Sequence, residues 1–148
     1  MDLKIPLAAL TVAVMLAPAA HAAPAPANSG QNPVVREVFN QATNVPGKSL
    51  VTVTVGYPPG AKSGAHHHAK SAFIMAYVIS GAIRSQVEGE PARVYQAGET
   101  WQEAPGAHHT ISENASATDP AELLAVFLID TGDGPLTTDD VTEDEPPR

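Results

Sequence analysis

The sequence predicts an all-β domain, a sandwich or a barrel, and three observations predict it. About eight short apolar, β-branched runs recur, with turn residues roughly every eight to twelve positions. Within Ser49 to Val55, Val51, Val53 and Val55 point one way and Thr52 and Thr54 the other. No stretch carries the 3.6-residue apolar period of an amphipathic helix. A chain of 148 residues accommodates one such domain.

Taken in order, Val34 to Phe39 reads as a first strand and residues 40 to 48, with Pro46-Gly47, as a turn. Val51, Val53 and Val55 give the second strand a buried face. Ala72 to Ser80 is uniformly apolar and reads as a central strand covered on both faces, which would place Phe73, Met75, Tyr77 and Ile79 in the core. Residues 83–88 and 92–96 form a hairpin across Gly89-Glu90-Pro91. Glu99 to Ala104 and His108 to Ser112 flank the turn at Pro105-Gly106. Ala121 to Ile129 follows Pro120 and ends in β-branched and aromatic residues, so it reads as a core strand.

The two ends differ from this core. Residues 1–22 combine Lys4, an apolar run from Ile5 to Ala17 and an Ala20-His21-Ala22 cleavage site, so they read as a secretory signal cut after Ala22. Residues 23–33, rich in Pro and Ala, read as a flexible leader. The domain is expected over 34–131. Residues 132–148, acidic and proline-containing, read as a disordered, solvated tail. The chain is thus expected to be exported to the periplasm or beyond, with no membrane attachment after cleavage.

There is no cysteine, so disulfides play no part in stability. A formal charge of −8 argues against nucleic acid or an anionic membrane surface as partner. No Ser-His-Asp arrangement or phosphate loop is present.

Loss of the signal removes His21, and the remaining histidines fall in two groups, His66-His67-His68 and His108-His109. On a strand, alternate side chains share a face, so His66 and His68 project together and His67 points away. The same rule separates His108 from His109. If the two strands are neighbours, a third imidazole closes on the first pair. Three imidazoles at about 2 Å suit a divalent transition metal, with open positions for water or substrate.

These residues resemble the cupin family. Gly60, His66, His68 and Gly81 fit its first motif, a glycine, five residues, His-x-His and a later glycine. Gly98, Pro105-Gly106, His109 and Asn114 fit the second. The resemblance implies a small jelly-roll β-barrel with a metal in its mouth, His66, His68 and His109 as ligands, and one ion of Fe, Zn, Mn, Ni or Cu. It also implies a homodimer in which residues 34–39 take part.

The glutamate usual in the first motif is missing, since no acid occurs from Val38 to Val87. Three neutral imidazoles alone would leave the ion's +2 charge uncompensated, favouring an anionic ligand. Gln86 and Glu103 are the candidates to fill the gap. Gln86 would be a weak amide ligand. Glu103 would be a ligand, a partner for an imidazole N–H, or the catalytic general base. Trp101 is the candidate substrate wall. The function expected is a metalloenzyme of oxygenase, isomerase or lyase type acting on a small polar or anionic molecule. The alternatives are a non-catalytic module that binds a metal or small ligand, and a degenerate site without metal.

Overall fold

A computed structural model describes residues 32–141. The segment read as a signal (residues 1–22), most of the one read as a leader (23–31) and residues 142–148 lie outside the described residues. Eleven strands form: β1 Val34–Ala42, β2 Lys48–Tyr57, β3 Lys62–Ser63, β4 His66–His68, β5 Phe73–Ser80, β6 Ala82–Val87, β7 Arg93–Gln96, β8 Thr100–Glu103, β9 His108–Asn114, β10 Ala121–Asp130 and β11 Thr137–Asp139. Among the described residues there is no helix.

All pairings are antiparallel, and they build two sheets. One runs β1-β2-β10-β5-β8, and the other runs β11-β4-β9-β6-β7 with β3 also paired to β9. This is the jelly-roll architecture expected. Three strands exceed the expectation: β3, β4 and β11 are two or three residues long, too short for an alternating pattern to register. β1 also runs on to Ala42, inside the segment read as a turn.

The two inner faces differ in chemistry. The five-stranded sheet supplies Val51, Val53, Val55, Ile74, Ala76, Val78, Leu123, Ala125, Phe127 and Ile129, all buried. These are the inward positions of a period-2 pattern, and together they form the apolar core. The facing sheet buries Ile83, but otherwise His66, His68, Ser85, His109, Ser112 and Asn114. The barrel therefore has one oily wall and one polar wall.

Two expectations need correction. β5 is covered on one face only: Ile74, Ala76 and Val78 are buried, while Phe73, Met75, Tyr77 and Ile79 are each exposed by 37–43%. A strand apolar on both faces need not be buried on both within one chain, because a partner can cover the second. Residues 132–141 do not form a tail apart from the domain. Thr137–Asp139 pair with β4 in register Thr137↔His68 and Asp139↔His66. Acidic composition hid this edge strand.

Gly81 turns the chain between β5 and β6 at a φ of +70°. A Cβ there would stand 2.6 Å from Pro120 O and 2.8 Å from Ala121 Cα, so the turn closes directly on the start of β10. Gly81→Ala is expected to lower unfolding free energy by about 3 kcal/mol, from left-handed strain plus overpacking. Urea unfolding by circular dichroism checks it, and a loss below about 0.5 kcal/mol would show that the turn relaxes.

Candidate metal centre

His66 and His68 leave β4 on its inner face because β4 alternates buried, exposed, buried. His109 joins them from β9, where His66 pairs directly with His109. Alternation alone would not have aimed it there. Ser112 and Asn114 face inward, so an unbroken strand would turn His108 inward instead. The pairing of β6 with β9 slips between Gln86↔Ile111 and Val87↔His109, leaving Thr110 as an extra residue. That bulge inverts the parity of the strand and re-aims His109 at the cluster.

The three imidazoles are buried, with ring centroids 4.9 Å (His66–His68), 5.2 Å (His66–His109) and 5.9 Å (His68–His109) apart. One ring nitrogen from each lies within 4.8 Å of the others. His66 Nδ1 stands 2.8 Å from Gly64 O, and His68 Nδ1 stands 3.3 Å from Leu136 O. A carbonyl oxygen only accepts, so both Nδ1 atoms carry the proton and each Nε2 presents a lone pair. Backbone thereby fixes the tautomer that a metal ligand needs.

Glu103 reaches the same point from β8 on the opposite sheet and is 3% exposed. Trp101 Nε1–H donates to Glu103 Oε1 at 3.0 Å. Glu103 Oε2 lies 3.0 Å from His68 Nε2, and Oε1 lies 3.4 Å from His109 Nδ1. The His68 contact is close but misdirected, since neither His68 Nε2 nor Glu103 Oε2 has an aligned hydrogen-bond partner. A carboxylate thus stands where the missing first-motif acid left the site without one.

Gln86 does not join the cluster. It follows the inward Ser85 on β6 and so faces outward, where its amide donates to Glu90 O at 3.0 Å. Ser85 is the residue sequence reasoning missed: its hydroxyl contacts His109 Nε2 at 2.8 Å in the buried interior. The signal was present, because Ile83 and Ser85 share the inward parity of β6 while Arg84 and Gln86 take the other.

Burial drives the electrostatics. Desolvation lowers His66, and it lowers His109 to about 4 despite the neighbouring carboxylate. Both are neutral, metal-competent bases at neutral pH. For Glu103 burial pushes upward, but the neighbouring His68 and His109 rings and the Trp101 N–H together outweigh it and hold it below the usual carboxylate range. The cluster therefore encloses an ionised carboxylate. These donors line a cavity of about 430 Å³ whose other wall includes Tyr57, Ile74, Trp101 and Phe127. Asn114, by contrast, is structural: its Nδ2 donates to Tyr57 O, Pro58 O and Asp119 O.

The donor set fits a divalent transition ion. Three imidazoles whose ring nitrogens lie within 4.8 Å of one another are ligands such ions prefer, and beside them His68 Nε2 and Glu103 Oε2 are buried with no aligned hydrogen-bond partner.

Comparison with known proteins agrees with the fold. The solved structure of TT1209 from Thermus thermophilus is similar at 22% identity, over 66% of this chain and 84% of that one, with a TM-score of 0.54. A recombinant oxalate oxidase in complex with glycolate is similar at 21% identity, over 78% of this chain, with a TM-score of 0.60. This chain spans only 59% of that enzyme. The DMSP lyase DddQ of Ruegeria pomeroyi is similar at 21% identity, over 65% of this chain and 45% of that one, with a TM-score of 0.55. No functionally curated protein matches the sequence. A family profile described as a cupin domain matches residues 53–127, from mid-β2 to β10 and so across every donor named above. The chain belongs to the cupin family.

Proposed function

We propose that this chain is an exported, metal-dependent cupin enzyme. His66, His68 and His109 hold one divalent transition ion beside Glu103, and the substrate is a small polar or anionic molecule. The observation that carries the reading is the contact between His68 Nε2 and Glu103 Oε2, two buried acceptors 3.0 Å apart. Their lone pairs repel unless a proton or a metal ion lies between them, and with Nδ1 already carrying the proton a metal ion fits the place. Adjacent donors around one ion at about 2.1 Å stand about 3.0 Å apart in octahedral and about 3.4 Å apart in tetrahedral geometry. The His68 Nε2–Glu103 Oε2 contact, 3.0 Å, falls in that range. Likeness in fold to an oxalate oxidase and a DMSP lyase supports the substrate class, and export rests on the signal read in residues 1–22.

When bound, the ion supplies Lewis-acid polarisation of an oxygen ligand or activation of dioxygen. The protein's own groups do the rest. Trp101 pins Glu103 Oε1, so Oε2 is the oxygen free to ligate or to hold a proton. Ile74 and Phe127 keep the inner wall dry, which strengthens every charge interaction inside. Tyr57 Oη, 2.7 Å from Ser112 Oγ, offers a hydroxyl to a polar substrate. A binding module without turnover is the second reading. Glu103 is the one fully buried acid among the described residues, so its use as a ligand would leave no buried acid for proton transfer.

Metal analysis of untagged protein tests this. About one equivalent is expected, lost by more than tenfold in His66→Ala and His109→Ala. Ser85→Ala is expected to weaken retention about tenfold by freeing the His109 ring. Glu103→Gln separates the roles: lost metal makes it a ligand, and retained metal with lost turnover makes it the base. Metal content indifferent to the histidines would sink the reading.

The metal-free protein should be acid-sensitive. His109 titrates near 6.5 when unfolded and about 4 when folded, so between those values the unfolded chain binds more protons. Stability is therefore full above pH 6.5 and falls as pH drops towards 4, by on the order of 3 kcal/mol. His66 and Glu103, both lowered on folding, act in the same direction. Urea unfolding at a series of pH values measures the slope, and His109→Gln should flatten it.

We also propose a homodimer. β1 is exposed along its whole length, and the outer face of β5 presents Phe73, Met75, Tyr77 and Ile79 beside Leu128, which pairs with Phe73. A contiguous apolar stripe of this kind needs a cover. Sedimentation at micromolar concentration should show a dimer, and Met75→Glu with Ile79→Glu should yield folded monomer. A wild-type monomer would refute it.

A further inference from the structure

β4 and β9 carry a second set of donors on their outer faces. His67 and His108 are directly opposite one another across the strand pair. Their rings stack at 4.2 Å and 11°. Asp140 comes to both: its Oδ2 is 2.9 Å from His108 Nε2, and its Oδ1 is 3.9 Å from His67 Nε2. Glu88 Oε2 stands 3.7 Å from His108 Nδ1, on the other edge of that ring.

We propose that His67, His108 and Asp140 form a second, solvent-facing site for a borderline divalent ion such as Zn²⁺. Three features carry this. The cross-strand register fixes the two imidazoles side by side, since directly opposed Cβ atoms stand about 5 Å apart. The carboxylate is delivered by a separate element held in place, because β11 pairs with β4 and Asp140 N donates to Ala65 O at 3.0 Å. One donor atom from each of the three residues lies within 4.8 Å of the other two. A shell of about 2.1 Å radius spreads its donors about 3–4 Å apart, so small rotations of the exposed His67 and Asp140 side chains about the half-buried His108 close it. Two imidazoles and one carboxylate select Zn²⁺, Cu²⁺ or Ni²⁺ over Mg²⁺ or Ca²⁺, and water fills the open positions.

The site is independent of the inner centre in its ligands but not in its scaffold. Each strand offers neighbouring histidines to opposite faces, so an outer ion would brace β4, β9 and β11, the strands that position His66, His68 and His109.

Equilibrium dialysis of untagged, chelator-treated protein against Zn²⁺ tests the assignment. Two equivalents are expected for the wild type. His67→Asn, His108→Asn and Asp140→Asn should each remove one, or weaken it more than tenfold, while keeping the other. Failure of the inner reading alone would appear as a single equivalent lost in these outer variants. Zn²⁺ binding unchanged in all three overturns the proposal, and leaves Asp140 as a strap for β11. Imidazole-nitrogen NMR of the wild type reads the same point without substitution. Zn²⁺ should shift the His67 and His108 resonances in a step separate from the buried histidines, and resonances that do not move overturn it.

Discussion

Everything distinctive about this barrel follows from one buried carboxylate set against three buried imidazoles. Glu103 stays ionised while almost wholly out of water. An unpaired charge there would cost several kcal/mol, and the Trp101 N–H satisfies one oxygen only. The other faces a nitrogen whose proton has been drawn to the far side of the ring by Leu136 O. The backbone carbonyls at Gly64 and Leu136 thus do more than orient ligands. They clear the protons from the side where a cation belongs.

The remainder of the structure serves that arrangement. The apolar wall from β2, β5 and β10 supplies the core, which leaves the facing wall free to carry polar side chains. The bulge at Thr110 permits His109 rather than His108 to enter. The same parity inversion puts His108 outside, opposite His67. The five clustered histidines are therefore one pattern read from both sides of a sheet.

Much of this was legible in the sequence. Val51, Val53 and Val55 announce their face by alternation, and the His-x-His spacing places His66 and His68 together without tertiary information. Parity also contained Ser85 against Gln86, although the longer polar side chain drew attention to the wrong member of the pair. Three things were not legible. β11 is too short and too acidic to register as a strand, and its pairing depends on β4, which is itself only three residues long. The outward exposure of Phe73, Met75, Tyr77 and Ile79 cannot be told from burial by apolarity alone. Nor does periodicity reveal the bulge that aims His109; only the family spacing distinguished it from His108.

The position of the carboxylate changes what an inner ion would do mechanically. A glutamate on the histidines' own sheet would leave the ion attached to one wall of the barrel. Glu103 belongs to β8, which pairs with β5 in the five-stranded sheet, whereas His66, His68 and His109 belong to the facing sheet. An ion shared among them joins the two walls. Its binding energy then opposes their separation, and ligand linkage makes it folding energy, about 4 kcal/mol at a thousandfold excess over Kd. In a chain without disulfides, such a staple would be the strongest cross-link available between the sheets. It would act through the cavity itself, so loading the metal, holding the sheets together and shaping the substrate space would be one event.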